Sequence, residues 1–421
     1  MAARMLGPRE TLRLPGSRYA VAISWDRSGV PVDLDLQCVV VDDRGSVIDA
    51  CYYNNMKAQR CITHSGDERT GDRAGLDEVI WAGLAKMPEK VRMLVFVVAA
   101  HSGGHLRDAR NGIIHILEER KDNEVGCIPI ERSEHEVDVV AAMVRDSNGW
   151  ELQVIDEPAQ EGQHFMDVLE PTMGNYIRKV IPSAPRRMKV AFAMDKGAVV
   201  DLPETSSLQG VTAGLGWDVL GHGVDLDVSA VLFDGQGDLV DTIFFGRLQS
   251  CGLVHSGDNL TGAGEGDDEQ IKCNLDQVPA RVQQIFFTVH VYTKGVTFEK
   301  VSNAFCRIFD TTGTELARYE LREAGRESGL IMARLYRDEG GQRWSFQALG
   351  TFSRGSMWKD SVQDMLAIVR KAPRALQLRG QTTMEFSGCA DGAGPARATA
   401  PVAASGACGV GAGDEKKCTV Q

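Results

Sequence analysis

The chain repeats itself, and this repeat constrains its fold more than any other feature. Residues 64–80 read HSGDERTGDRAGLDEVI and residues 255–271 read HSGDNLTGAGEGDDEQI, so ten of these 17 positions are identical without a gap. Further matched pairs keep the same order on both sides: Trp25 with Trp217, Phe96 with Phe287, and Trp150 with Trp344. A similarity that keeps its order over this length predicts two copies of one domain.

The boundaries of the copies follow from the limits of the match. We expect copy one at 9–182 and copy two at 187–372, joined at Pro182–Pro185. Beyond 372 the composition changes, because residues 388–413 are mostly Gly, Ala, Ser and Pro and cannot build a core. Residues 373–421 are therefore predicted to form a flexible tail.

Short runs of β-branched and aromatic residues near Gly or Asp predict strands in both copies. The clearest runs are Tyr19–Trp25, Leu36–Val41, Val228–Phe233 and Ile285–Tyr292. Helical spacing appears only late in each copy, in 362–369 of copy two and in Phe165–Ile177 of copy one, where Pro171 interrupts it. The pattern predicts a chain dominated by β-structure: two tandem β-sandwich domains, each with a late helix.

Composition and charge exclude several classes. With 46 Lys and Arg against 58 Asp and Glu, the net charge is −12, so we expect no nucleic-acid partner. Hydrophobic residues make up 43%, which excludes a chain that is disordered throughout. The ten cysteines form no C-x-x-C pair, which gives no support to a zinc ribbon, and we expect a reducing, cytoplasmic compartment.

An acidic, glycine-rich loop is the most informative segment of copy two. Clustered carboxylates repel one another, and a hard cation such as calcium, which takes six to eight oxygens, would offset this repulsion. Two aspartates at the start of a strand point the same way and could supply further oxygens. The candidate metal residues are Asp225, Asp227, Asp258, Asn259, Asp267, Asp268 and Glu269. A solvated acidic turn without a metal is the alternative interpretation.

Copy one carries a weaker version of this pattern. Its candidate metal residues are Asp33, Asp35, Asp67, Asp77 and Glu78. Leu76 stands where copy two has Asp267, and Arg73 stands where it has Gly264. Because carboxylates are lost and a positive charge is gained, we expect copy one to bind metal weakly or not at all.

Other residues are interpreted as structural. His64 and His255 each precede Ser-Gly-Asp, and we expect them to brace the loop by hydrogen bonds. Trp150 and Trp344 are expected in the core. The motifs G-x-S-x-G, G-x-x-x-x-G-K-[ST] and H-E-x-x-H are absent, so we expect no catalytic residues and no enzyme.

Taken together, these motifs resemble the TerD-type tellurium-resistance and general stress proteins. The pattern appears in copy two as Leu215–Asp218, Asp225–Ala230, His255–Gly262, Gly266–Glu269, Ser302–Phe305 and Glu315–Leu321, and copy one adds Tyr53–Asn55. The resemblance implies a β-sandwich, calcium sites at the Asp pair and the acidic loop, and stress-linked or calcium-linked signalling without established catalysis. Some cyclic-AMP-binding proteins are similar in this domain.

The printed sequence ends Cys418-Thr419-Val420-Gln421, which fits C-a-a-X with Gln favouring farnesyl. We expect lipidation at Cys418 and a second, palmitoylated site at Cys408, which would tether the protein to the cytoplasmic face of a membrane in a eukaryotic cell. One lipid alone gives only marginal binding.

The sequence therefore predicts a non-enzymatic, calcium-binding stress-response or signalling protein with reversible membrane tethering and protein partners that the sequence does not name. Two alternatives stay open: a module that binds a cyclic nucleotide or another small ligand, and a hydrolase that uses the acidic loop and His255.

Overall fold

We analysed a computed structural model of the chain. It describes residues 4–26, 32–71, 75–102, 104–119, 123–186, 188, 190, 192–203, 208–219, 225–257, 267–322, 325–338 and 343–370. The tail from 371 onward, with Cys408 and Cys418, lies outside these residues, as do Asp258 and Asn259 of the acidic loop.

Among the described residues, thirteen strands build copy one. They are β1 (Arg4–Met5), β2 (Thr11–Leu14), β3 (Tyr19–Asp26), β4 (Asp33–Asp42), β5 (Val47–Cys51), β6 (Lys57–Ala58), β7 (Ile62–His64), β8 (Glu78–Ala82), β9 (Val91–Ser102), β10 (Arg110–Glu118), β11 (Asn123–Pro129), β12 (Val137–Asp146) and β13 (Gly149–Val154). Short 3₁₀ turns occur at Leu84–Lys86, Leu106–Asp108 and Phe165–Val168, and helix α1 spans Gly174–Val180.

Thirteen strands also build copy two. They are β14 (Phe192–Met194), β15 (Val199–Asp201), β16 (Val211–Val219), β17 (Leu226–Phe233), β18 (Leu239–Ile243), β19 (Gln249–Ser250), β20 (Leu253–His255), β21 (Glu269–Cys273), β22 (Gln284–Val291), β23 (Val301–Asp310), β24 (Glu315–Glu320), β25 (Gly329–Arg337) and β26 (Trp344–Ser353). Its 3₁₀ turns are Leu275–Gln277, Phe298–Lys300 and Trp358–Ser361, and helix α2 spans Val362–Val369.

The sheet topology repeats strand for strand. Copy one forms the sheets β1-β11-β10-β3-β8-β7-β6 and β2-β13-β12-β9-β4-β5. Copy two forms β14-β24-β23-β16-β21-β20-β19 and β15-β26-β25-β22-β17-β18, so each strand corresponds to the one thirteen places earlier. The first strand of each seven-stranded sheet pairs in parallel, with β11 and with β24, and the other strand pairs of the described residues are antiparallel. The predicted tandem β-sandwich is confirmed.

The strand predictions hold because apolar positions dominate both faces. In β4 nine of ten residues are buried, and in β17 all eight are buried. A strand buried on both faces is rich in β-branched and other apolar residues instead of alternating with polar ones, which agrees with the runs that predict these strands. The predicted strand runs fall within or overlap β3, β4, β17 and β22.

The late helices differ between the copies. Helix α2 matches the predicted 362–369. In copy one the predicted segment breaks into the 3₁₀ turn Phe165–Val168, an irregular turn Leu169–Met173 around Pro171, and α1. Proline removes a backbone donor and clashes with the preceding turn, which explains the interruption. No helix of the described residues is both long and apolar enough to cross a membrane.

One hydrophobic core lies between the two sheets of copy one. A second core begins on the outer face of the six-stranded sheet of copy one and continues into copy two. In copy two the equivalent outer face packs beneath α2 through Phe233, Phe286 and Met365. Trp150 and Trp344 are buried, as predicted.

Candidate functional site

The acidic segment of each copy begins at a buried histidine. In copy one, the backbone N–H of Gly66 donates to Nδ1 of His64 at 3.0 Å, and Nε2 lies 3.2 Å from the carbonyl oxygen of Leu36. Burial lowers the pKa of His64 to about 4, so the ring is neutral and donates from Nε2. His255 makes the same contacts, with Gly257 at 3.0 Å and Val228 at 3.2 Å. The predicted loop-bracing role is confirmed.

Two acidic residues at the far side of each loop pin strands by accepting backbone hydrogen bonds. Asp77 accepts from the N–H of Trp25 at 2.9 Å, and Asp268 accepts from the N–H of Trp217 at 2.8 Å. The following residues do the same: Glu78 accepts from Leu36 at 2.8 Å, and Glu269 accepts from Val228 at 3.2 Å. Four of the twelve predicted metal residues therefore also hold the loop against the sandwich.

Three carboxylates converge in copy one. Asp33, Asp35 and Asp67 each offer one oxygen, and these oxygens all lie within 4.8 Å of one another. Asp33 and Asp35 are two residues apart on β4, so their side chains project from the same face, and both are buried. Among the described residues no hydrogen-bond donor reaches one oxygen of Asp35, and Nδ1 of His101 lies 3.5 Å from it.

The electrostatics of this cluster favour a bound cation. Burial raises the pKa of Asp35 well above its usual range, and the charges of Glu78, Asp33 and Asp67 raise it further. Arg69 offsets part of this repulsion, since its Nε lies 2.8 Å from Asp67. A hard divalent cation would offset it more completely, and carboxylate oxygens are the ligands that calcium prefers. The three carboxylates therefore fit calcium, as does the oxygen of Asp35 that accepts no hydrogen bond from the described residues.

Copy two retains the aspartate pair in the equivalent place. Asp227 is buried on β17 at the position of Asp35, and Asp225 directly precedes that strand. Asp227 faces His290 on β22, whereas Asp35 faces Ala99 on β9. Asp258 and Asn259, predicted to complete the site, lie outside the described residues.

Asp267 occupies a different environment from the one predicted for a metal ligand. Arg307 donates from Nε to one of its oxygens at 2.7 Å and from Nη2 to the other at 3.0 Å. Gln270 adds a third hydrogen bond at 3.0 Å, and Arg307 also contacts Glu315 at 3.1 Å. This bidentate geometry makes a strong ion pair, so Asp267 already has its countercharge in the guanidinium. The sequence showed the carboxylate but not its partner, which lies 40 residues away.

Sequence reasoning also missed an Asp–Asn pair beside each site. Nδ2 of Asn111 donates to Asp26 at 2.6 Å, and Nδ2 of Asn303 donates to Asp218 at 2.6 Å. Both asparagines have positive φ, 51° and 53°, a conformation that Asn tolerates better than most residues. The signal was present, because each Asp follows a matched Trp and Asn303 stands in a quoted motif.

Comparison with known proteins gives one match for each copy. The family model of the TerD domain matches residues 14–167 and again residues 190–359. The chain belongs to the TerD family. It carries the domain in tandem, and the two matches coincide with the two sandwiches.

The curated relatives have the length of one copy. The tellurium resistance protein TerZ of Serratia marcescens is 45% identical over 180 residues, which cover 39% of this chain and 92% of TerZ. General stress protein 16U of Bacillus subtilis is 42% identical over 40% of this chain and 94% of its own length. The tellurium resistance protein TerD of an Alcaligenes species is 38% identical, with the same coverage.

Proposed function

We propose that this TerD-family protein is a non-enzymatic calcium-binding protein of a stress response. The observation that carries the proposal is the convergence of Asp33, Asp35 and Asp67, with an oxygen of Asp35 that accepts no hydrogen bond within the described part of the chain. The stress-response role is supported by the names of the relatives, which describe tellurium resistance and general stress.

We assign calcium to both copies, although the sequence alone predicts weak or no binding in copy one. In copy one, oxygens of Asp33, Asp35 and Asp67 lie within 4.8 Å of one another. In copy two, Asp227 lies on β17 and Asp225 directly precedes that strand, whereas both aspartates of the pair in copy one lie on β4. Asp268 and Glu269 accept backbone hydrogen bonds, and Asp267 is bound to Arg307. Two sites of unequal affinity are therefore expected.

A titration of the full chain tests this assignment. Calcium binding and the calcium-dependent rise in Tm are measured for the parent and for two double variants, Asp33→Asn/Asp35→Asn and Asp225→Asn/Asp227→Asn. Each variant should lose one class of site, and saturation at 100 times Kd should contribute about 2.7 kcal/mol per site. Asp138→Asn serves as the control, because Asp138 is a buried carboxylate outside the cluster. Full calcium binding by both double variants would contradict the proposal.

Membrane tethering belongs to the same proposal and is supported only by the sequence motif. Cys418 would carry the prenyl chain and Cys408 a second lipid, and both lie outside the described residues. The intact mass of protein isolated from its own cells tests it, and an unmodified mass would contradict it.

A further inference from the structure

Copy two exposes an aromatic surface beside its aspartate pair. We name this surface the aromatic tip; it consists of Phe244, Phe245, Leu248 and Tyr292. Phe245 is 39%, Leu248 46% and Tyr292 53% exposed. The rings of Phe244 and Phe245 lie 5.4 Å apart and those of Phe245 and Tyr292 lie 6.3 Å apart, so the three aromatic rings form one contiguous group.

The equivalent turn of copy one is a contact between the copies. Tyr52 and Asn55 pair across it as Phe244 and Arg247 do in copy two. It docks on β15, where the N–H of Asp201 donates to the hydroxyl of Tyr52 at 2.8 Å. Asn54 fixes the same contact, donating to Asp201 at 2.8 Å and accepting from the hydroxyl of Tyr336 at 2.9 Å.

The turn of copy two lacks the groups that make this docking possible. Phenylalanine replaces Tyr52, Gly246 replaces Asn54 and Arg247 replaces Asn55, so the hydroxyl and both amides are gone. An edge strand offers unpaired N–H groups, which need acceptors. The turn of copy two has no side-chain acceptors for these N–H groups. The edge strand of a second TerD domain would therefore bind the aromatic tip poorly.

The composition of the tip suits a lipid surface instead. Aromatic side chains favour the boundary between the hydrocarbon and the polar region of a bilayer. Arg247, at the rim, is half exposed and pairs with Asp241 at 2.6 Å, so it adds no net charge that must be desolvated. The N–H of Tyr292 donates to the carbonyl oxygen of Asp225 at 2.9 Å, so the tip directly adjoins the aspartate pair of copy two.

We propose that the aromatic tip inserts into the interfacial region of a phospholipid bilayer. In the calcium-bound protein, the cation at Asp225 and Asp227 would offset the negative charge that otherwise repels anionic headgroups; this clause rests on the proposed function. The tip would thus be a membrane contact made by the folded domain, separate from any lipid on Cys418 or Cys408.

Vesicle flotation of the full chain tests the proposal. Cys408→Ser/Cys418→Ser removes any lipid anchor and serves as the parent. Vesicles of phosphatidylcholine with phosphatidylserine are used with calcium and with a chelator. The parent should float with vesicles in calcium, and Phe245→Ser/Tyr292→Ser should weaken partitioning by about tenfold or more, because two apolar contacts are lost. Met5→Ser is the control, since Met5 is 53% exposed but lies at an edge of copy one.

Two further readouts separate the possible failures. The calcium-dependent rise in Tm is measured for every variant; if it persists while the parent does not float, calcium binding stands and the lipid contact is overturned. Sedimentation without lipid is measured as well. Self-association that disappears in Phe245→Ser/Tyr292→Ser would also overturn the proposal, because the tip would then be a contact between chains.

Discussion

Asp35 illustrates how a single residue can oppose folding in one state and stabilise the protein in another. Its carboxylate is buried among Asp33, Asp67 and Glu78, which together with burial raise its pKa. In a chelator, the Asp35→Asn variant should therefore have a higher Tm than the parent, because the substitution removes the repulsion among buried carboxylates. In saturating calcium the order should reverse. A variant less stable than the parent in both conditions would show that Asp35 has a packing role.

Asp138 offers a pH-dependent prediction at the same scale. Burial, with the charge of Glu131, raises its pKa to about 7, whereas an exposed aspartate titrates near 3.9. Between these values the folded state binds a proton that the unfolded state has lost, so its contribution to stability falls as the pH rises from about 4 to about 7.

Asp138→Asn mimics the protonated form and should lose this dependence. At pH 8 the variant should be more stable than the parent by about 4 kcal/mol, and near pH 4 the two should agree. Urea unfolding at pH 4, 6 and 8 measures the difference. A difference that is constant across these three pH values would show that the carboxyl does not titrate on folding.

At the scale of elements, Asp267, two residues before β21, forms an ion pair with Arg307 of β23. This pairing assigns Asp267 a structural role rather than a metal-binding one. The side chain of Asp267 is 1% exposed and is held by Arg307. Arg307→Met should cost about 3 kcal/mol, because it leaves a buried carboxylate unpaired. Asp267→Leu/Arg307→Met should recover much of this loss, since copy one already carries Leu76 in place of Asp267. Urea unfolding in a chelator measures the stability of both variants. Equal losses of stability in the two would show that the ion pair of Asp267 with Arg307 does not cause the loss.

The sequence predicts these elements better than it predicts their partners. Strands such as β4 and β17 were recognisable because their burial makes continuous apolar runs, and the matched histidines indicated a braced loop. The pairing of Asp267 with Arg307 could not be read, because it depends on the register of β16 with β21 and β23. Similarly, the convergence of Asp67 on Asp33 and Asp35 depends on the path of a loop, which residue types alone do not fix.

At the scale of the whole molecule, duplication does not make the copies equivalent. The outer face of the six-stranded sheet of copy one is buried in a core that continues into copy two, whereas in copy two α2 covers the equivalent face. The same turn is consequently docked in one copy and exposed in the other. Nothing in the repeat predicted this difference, because it arises from which neighbour follows each copy along the chain.

The contact between the copies should make them unfold together. Arg343 of copy two is 5% exposed and donates to both oxygens of Asp167 of copy one, at 2.8 and 3.0 Å. It also donates to the carbonyl of Leu202 at 2.9 Å, so it joins the two copies next to the end of β15. Breaking a buried pair by removing one partner costs about 3–5 kcal/mol. Because that cost falls on the junction, Arg343→Met should lower the first unfolding midpoint and divide one calorimetric transition into two.

Arg326→Met is the matched control: its side chain is 90% exposed and its contact with Glu299 is 3.3 Å, so it should change stability by less than about 1 kcal/mol. A single transition in Arg343→Met with an unchanged midpoint would mean that the two sandwiches are coupled by their shared apolar core alone.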